Sequence, residues 1–421
     1  MSNAERVDFR RDLHQHPEPA WCEYYTTARI VDALETRGID RILVGPEILQ
    51  SGRRGVPSTS TQQEWKEQAL EAGAREDIVS RLTDGQTGAM AVIENGPGPT
   101  VALRVDIDGL PITEDTTDEH LPSTAGFRST HEGYMHACGH DGHATIGIGV
   151  LDQLLQSEFD GTVKIIFQPG EEQIVGAEPI VHAGIIDDVD YLYATHLGLD
   201  HPTGTIVAGI SEFLAVSQFE TSFYGSAAHA GAHPESGENA VQALAAAVQN
   251  LYAIPRHSEG ATRVNVGTVS GGTATNIIPE SATISGEIRG ETTQLMESTE
   301  TQAHQIMESA ARMHDCEMEI DTMGRAPSAE SDSELIETVA TVAGETAQVE
   351  SVVRRDSLGG SEDATHMMRH VQQNGGKATY VAIGTDHPGG HHTPRFDIDE
   401  QSLEIGVAVL ADAITKTLHE P

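Results

Sequence analysis

Between Met135 and His143 the chain reads Met-His-Ala-Cys-Gly-His-Asp-Gly-His, so one thiol and three imidazoles fall within eight positions. A lone histidine is usually a satisfied structural residue, but a Cys-x-His with further histidines and a glycine to loosen the backbone is a metal-site pattern. A Cys-His nucleophilic pair is the rival reading, and it is weaker because side chains at i and i+2 point apart. A second cluster, Phe167-Gln168-Pro169-Gly170-Glu171-Glu172, sets two adjacent carboxylates after an apolar run. In so acidic a chain a solvated loop explains such a pair as readily, and what shifts the balance is company. Asp106 and Asp108 follow the run from Thr100 to Val105, and His196 follows the run from Tyr191 to Thr195. The stretch Gly389-Gly390-His391-His392-Thr393-Pro394 adds two imidazoles, one a candidate ligand and the other a loop residue.

Cys138, His140, Glu172, His196 and one of the His391/His392 pair make five protein donors. That is too many for one catalytic zinc with three ligands and an open position. Five suit two ions sharing a bridging water, about 3.5–4 Å apart. The mix of N, O and S donors favours Mn or Zn over Ca and Mg. With Glu172 on metal, Glu171 is left to act as general base toward that water and then as acid toward a leaving amine. No His-Glu-x-x-His helix, phosphate-binding loop or strand-linked dinucleotide fingerprint competes with this reading.

These residues need a sheet edge to meet at, and the patterning supplies one. Helical spacing over Arg6 to Leu13 and Tyr24 to Leu34 is broken by Pro17 and Pro19. Strand-like runs at 88–93, 100–105, 162–167 and 191–195 then alternate with helical stretches at 143–155 and 175–182, which predicts a mostly parallel sheet with helices on both faces. Ligands bind such α/β sheets outside the C-terminal ends of the strands. The Gly147-x-Gly149 pair falls inside a predicted helix and reads as packing. From 212 to 324 the rhythm becomes strand, helix, strand, strand, helix, strand, an α+β pattern of the split-βαβ, ferredoxin-like kind. Helices at 334–343, 363–373 and 401–418 with a strand at 378–383 would complete the first sheet. The expected organisation is therefore 1–211 and 325–421 as one discontinuous α/β domain, with 212–324 inserted. A surface insertion at 50–86 carries one helix over 62–82.

Composition narrows the partners. A hydrophobic share of 38% with 42 glycines is that of a folded chain, while 25 Lys and Arg against 65 Asp and Glu give a net charge of −40. Only four of the cations are lysines. Such a surface repels phosphate backbones and anionic lipid, so neither nucleic acid nor membrane is an expected partner. Scattered acidity of this kind suits concentrated salt, and the expectation is a cytoplasmic protein of a salt-accumulating halophile. Three cysteines, Cys22, Cys138 and Cys316, make no disulfide framework and fit a reducing compartment. The first thirty residues carry Asp8, Arg10, Arg11, Asp12 and Glu18 where a secretory signal needs an apolar run.

The motifs, taken in order, resemble the dinuclear metallopeptidases that include aminoacylases, glutamate-releasing carboxypeptidases and auxin-conjugate amidohydrolases. They are Arg10 to His14, Leu103 to Asp108, His136 to His143, Gln168 to Glu172, His229-Ala230, Asn276 to Pro279, Gly360 to Asp363 and His392 to Phe396. Gly170 departs from the family's usual alanine after proline. The resemblance implies Cys138, His140, Glu172, His196 and His392 as ligands of two divalent ions, with Glu171 as acid/base. It implies that 212–324 is a lid and dimerisation domain whose His229, Asn276 and Arg289 reach substrate, with His229 stabilising the oxyanion across a homodimer. Asp106 and Asp363 would stand behind the ligands and orient them. The implied activity is hydrolysis of the amide of an N-acyl or N-aroyl amino acid such as p-aminobenzoyl-glutamate, with or without a homologous second subunit. The alternatives are a general aminoacylase, a dipeptidase or carboxypeptidase, and a catalytically silent partner subunit that binds metal.

Overall fold

A computed structural model describes residues 1–39, 41–50 and 52–419. Asp40, Ser51, Glu420 and Pro421, which fall within the expected segments 1–211, 50–86 and 325–421, lie outside the described residues. The chain divides into two compact units. Among the described residues, one is made of those in Met1–Ser211, Ala329–Leu358 and Asp363 to His419; the other is Glu212–Ser328 with Gly359–Glu362.

The first unit opens with α1 (Asn3–His14), where the Ser2 side chain accepts from the Glu5 amide and the Glu5 side chain accepts from the Ser2 amide. α2 (Tyr24–Glu35), β1 (Arg41–Val44), α3 (Thr59–Glu71) and α4 (Glu76–Val79) follow. The single helix expected over 62–82 is thus two, because Gly73 adopts φ 99° just past α3 and ends it as a left-handed C-terminal residue. Then come β2 (Ala89–Asn95), β3 (Thr100–Asp106), α5 (Leu121–Ala125), α6 (His140–Leu154), β4 (Gly161–Gln168), α7 (Ala177–His182), β5 (Tyr191–Leu197), β6 (Thr205–Val207) and β7 (Ile210–Ser211). The second unit holds β8 (Ala215–Tyr224), α8 (Ala240–Leu251), β9 (Thr262–Gly271), β10 (Ser281–Gly290), α9 (Thr293–Met313) and β11 (Glu317–Ala326). The chain returns through α10 (Ser333–Glu345), β12 (Ser351–Val353), β13 (Asp356–Ser357), α11 (Thr365–Gln373), β14 (Lys377–Ile383) and α12 (Gln401–His419). The expected boundary at 324/325 falls inside β11, whose ladder with β8 runs on to Ala326. Residues 359–362 group with the second unit, where the Leu214 amide donates to the Gly360 carbonyl at 2.8 Å.

The large sheet has the order β1-β2-β4-β3-β5-β14-β6-β12. Its centre, β4-β3-β5-β14, is parallel, while β1, β2 and the β6 pairing with β14 are antiparallel. The sheet is therefore mixed, with a parallel centre and a parallel β6–β12 pair at one edge. Val101, Leu103 and Val105 of β3 and Val163, Ile165 and Phe167 of β4 join one apolar core with α1, α6, α10 and α12. Three glycines let α6 lie close against its neighbours. A Cβ at Gly142 would sit 2.5 Å from Leu197 Cδ1, one at Gly147 2.9 Å from Phe167 Cε1, and one at Gly149 would run into Val407. The packing role expected of Gly147 and Gly149 is what these distances describe. The opposite strand face carries Arg104, Asp106 and Gln168, all buried.

The second unit is a four-stranded antiparallel sheet in the order β11-β8-β10-β9 with α8 and α9 packed on it through Ala243, Ala247, Met296, Ala303 and Met307. Strand 4-1-3-2 order with two helices is the split-βαβ arrangement. No helix among the described residues is long and apolar enough to cross a membrane.

Candidate metal centre

The strands β3, β4, β5 and β14 run parallel, so their C-terminal ends deliver side chains to one edge. β3 ends in Asp106 with Asp108 two residues on; β4 leads into the turn holding Glu171 and Glu172; β5 carries His196; and the loop after β14 carries His392. The fifth contributor is α6, whose cap residue Gly139 takes φ 86° and lets Cys138 and His140 flank the helix start. His392 itself has φ 58°, an uncommon conformation for a residue with a Cβ. Its amide donates to the Ala137 carbonyl at 2.9 Å, which ties that loop beside Cys138.

The donor atoms converge in several overlapping groups, two of which share a cysteine. Cys138, His140 and His196 offer atoms within 4.8 Å of one another, and so do Cys138, Glu172 and His392. Cys138 Sγ lies 3.4 Å from His196 Nε2, and His392 Nε2 lies 3.5 Å from Glu172 Oε2. Glu171 joins from the side, its Oε2 3.9 Å from His140 Nε2.

Hydrogen bonds decide which histidines can ligate. His196 Nδ1 donates to the Leu197 carbonyl at 2.7 Å, leaving the Nε2 lone pair toward Cys138, and burial beside His143 and His391 holds the ring neutral. His140 Nδ1 donates to Asp108 Oδ1 at 3.2 Å. Its Nε2 is buried with no hydrogen-bond partner among the described residues and faces Asp106 and Glu172 at 3.6 Å each. Burial opposes a charge on this ring, yet Asp106, Asp108 and Glu172 outweigh it and carry His140 up to about 10. A cluster that holds a proton this tightly is one that attracts a cation, and N, S and O donors at such spacing fit divalent ions. His143 cannot serve: the Leu197 amide donates to its Nε2 at 2.8 Å, so Nδ1 carries the hydrogen and donates to Asp106. His391 donates through Nε2 to the Leu197 carbonyl at 3.1 Å and lies 4.9 Å from the Phe396 ring.

Behind the donors lies a charged layer. Arg104, fully buried, donates to Gln168 at 2.8 Å, Asp106 at 2.7 Å and Asp363 at 3.2 Å. Asp363 also accepts from the Gly176 and Ala177 amides at 3.0 and 2.9 Å, fixing the chain just past the glutamate pair. Asp141, next to His140, receives Arg10 at 2.7 Å and His14 at 2.8 Å, and Arg10 also reaches Asp397 at 2.7 Å. Removing one member of such a buried set costs about 3–5 kcal/mol, because the partner is left charged and unmatched.

Asp108 is the residue that sequence reasoning undervalued. Its Oδ1 accepts from the Glu171 amide at 3.1 Å and its Oδ2 from the Glu172 amide at 3.0 Å, so it sets the backbone of the glutamate pair and His140 together. Its place two residues beyond Asp106 at a strand end was the available signal. The Arg10–His14–Asp141 set was visible only as the motif Arg10 to His14.

In the second unit, His229 and Asn276 meet through backbone pairing, the Ala230 amide donating to the Asn276 carbonyl at 3.0 Å. Both are exposed. His229 Nδ1 accepts from the Gly231 and Ala232 amides at 3.1 Å each, so its hydrogen is on the outward Nε2. Arg289 stands apart from them on β10, its Nε and Nη2 paired with Glu287 at 2.9 Å each and its Nη1 3.4 Å from Ser361 Oγ.

Residues 102–416 match the profile of peptidase family M20/M25/M40. The chain belongs to this family. M20 membership makes it a hydrolase of amide C–N bonds. A p-aminobenzoyl-glutamate hydrolase subunit of Escherichia coli (strain K12) is 41% identical over 407 residues, 96% of this chain and 93% of that one. Indole-3-acetyl-aspartic acid hydrolase of Enterobacter agglomerans is 41% identical over 411 residues, 97% of this chain and 94% of that one. The crystal structure of a dinuclear metal-binding M20 peptidase from Bacillus subtilis superposes with a TM-score of 0.69 at 26% identity, covering 99% of this chain and 98% of that one.

Proposed function

We propose that the chain is a two-metal amidohydrolase that cleaves the amide between an aromatic acyl group and an acidic amino acid, with p-aminobenzoyl-glutamate as the leading substrate. The observation that carries this reading is the pair of donor groups sharing Cys138, with Glu171 beside them on a turn whose amides are held by Asp108. Cys138, His140, Glu172, His196 and His392 would hold the ions, Mn or Zn. When bound, such ions polarise an amide carbonyl and acidify water. Glu171 takes the proton of the attacking water and returns it to the nitrogen of the leaving amino acid. Asp106, Asp108 and Asp363 keep the donors and the glutamate turn in place. His229 donates its Nε2 hydrogen to the developing oxyanion, with Asn276 alongside. Arg289 offers a planar fork to the α-carboxylate.

The substrate class follows from two relatives whose names pair an aromatic acyl group with glutamate or aspartate. The inserted unit acts as a lid and dimerisation surface in a homodimer, with His229 reaching the partner's substrate. The Escherichia coli relative is named as one subunit of its enzyme, which supports pairing with a homologous second chain as the other assembly. The net charge of −40 supports a cytoplasm rich in salt.

The deciding experiment is glutamate release from p-aminobenzoyl-glutamate by the purified chain alone, in molar KCl with added Mn, beside a panel of N-acetyl amino acids. Preferential turnover of the aroyl-glutamate is the expected result. Turnover of the panel alone would make it a general aminoacylase, and silence on all would sink the single-chain reading.

A further inference from the structure

Three successive amides carry the turn that presents Glu171, and each is aimed at a buried carboxylate. The Glu171 and Glu172 amides go to Asp108; the Gly170 amide donates to Glu23 Oε1 at 2.8 Å. Gly170 has φ 69°, a left-handed geometry that turns these amides inward. Glu23 is fully buried, 147 residues away along the chain.

Glu23 is itself braced on two sides. It is the cap residue of α2, and its Oε2 accepts from the Thr87 hydroxyl at 2.5 Å. The next amide, Gly88, donates to Thr27 Oγ1 of α2 at 2.9 Å, so the chain leaving the 50–86 insertion is bonded to the start of the same helix. That chain also lies against the glutamate turn: a Cβ on Gly88 would stand 2.7 Å from both the Phe167 carbonyl oxygen and Pro169 Cδ. Burial, and after it the Asp108 carboxylate, push the Glu23 carboxyl well above the usual carboxylate range.

We propose that Glu23 is a positioning residue for Glu171, fixing the Gly170 turn between Thr87 and α2. The inference rests on the reading of Glu171 as acid/base. It predicts that Glu23→Ala lowers kcat about 10- to 100-fold through a displacement of Glu171, with KM changed less than about twofold and two ions still bound. Glu23→Gln should restore most of the rate, because its carbonyl accepts from Gly170 and its amide can donate to Thr87 Oγ1. Thr87→Val removes one brace and should lower kcat about fivefold, which keeps a test available if Glu23→Ala does not fold.

The experiment measures kcat, KM, metal content and melting temperature for these variants beside Glu171→Gln. Wild-type kcat in Glu23→Ala or Thr87→Val, loss of metal in proportion to loss of rate, or a Gln variant as slow as Ala would each overturn the role given to Glu23. Turnover by Glu171→Gln would instead remove the reading beneath it, whatever Glu23 does.

Discussion

At the sheet edge of the first unit, His140, Glu171 and His196 are buried, and Asp108, Asp106 and Asp363 hold the backbone and rings around them by short bonds to amides, guanidinium and imidazole. In the second unit, His229 and Asn276 stand exposed on paired loops, and Arg289 is paired with the half-exposed Glu287. The contrast separates two tasks. Groups that must converge on ions are placed by a framework costly to disturb, while groups that meet a substrate need only a defined hydrogen and an open approach. Removing a metal donor or a carboxylate bonded to one should alter metal content and stability as well as rate; disrupting the second should alter rate or KM alone.

The greatest loss is expected at Glu171, the one member of the buried site with a proposed proton-transfer role. Glu171→Gln should lower kcat by about 10²–10⁴ with two ions retained, measured by turnover and metal analysis on one sample. Loss of metal would mean that the two adjacent glutamates have exchanged roles. In the second unit, Arg289→Met should raise KM about 10- to 100-fold for a substrate with a free α-carboxylate, and leave KM for its α-carboxamide unchanged. Metal content and melting temperature should stay at wild type, and a fall in either would erase the distinction between the two units.

The smallest effect concerns pH and tests the framework itself. Burial and Arg10 oppose a charge on His14, but Asp141 and Glu114 outweigh them and raise it from 6.5 to about 9. A raised value stabilises the folded state fully below about 6.5, and the contribution is lost as pH rises through about 9. The melting temperature of the wild type should therefore fall by a few degrees between these values. His14→Gln should be less stable at pH 6 and lose less on the same titration.

Much of this was readable from residue types. Cys138, His140, Glu172, His196 and the His391/His392 pair carried strong donor chemistry, with His392 singled out only by the family resemblance, and the 3.6- and 2-residue periods placed α6, β3, β4 and β5 within a few residues. What escaped was of two kinds. β1, β6 and β12 are three or four residues long, too short for a period to show, and Gly73 broke a helix that periodicity alone would continue. The supporting carboxylates escaped for another reason: Glu23 and Asp108 act through amides 147 and 63 residues away, a pairing that only the fold creates.

The glycines of α6 also bear on how this protein could be improved. Replacing helical Gly by Ala is a common route to a hardier enzyme, adding up to about 1 kcal/mol at each compatible site. Here it is closed. A methyl at Gly142 or Gly147 would meet side-chain atoms of Leu197 or Phe167 at 2.5 and 2.9 Å, and one at Gly149 would run into Val407, so a packed partner must shift against the helix that begins at His140. Efforts at thermal hardening belong on exposed positions such as Gly344, where added bulk meets nothing within 4 Å.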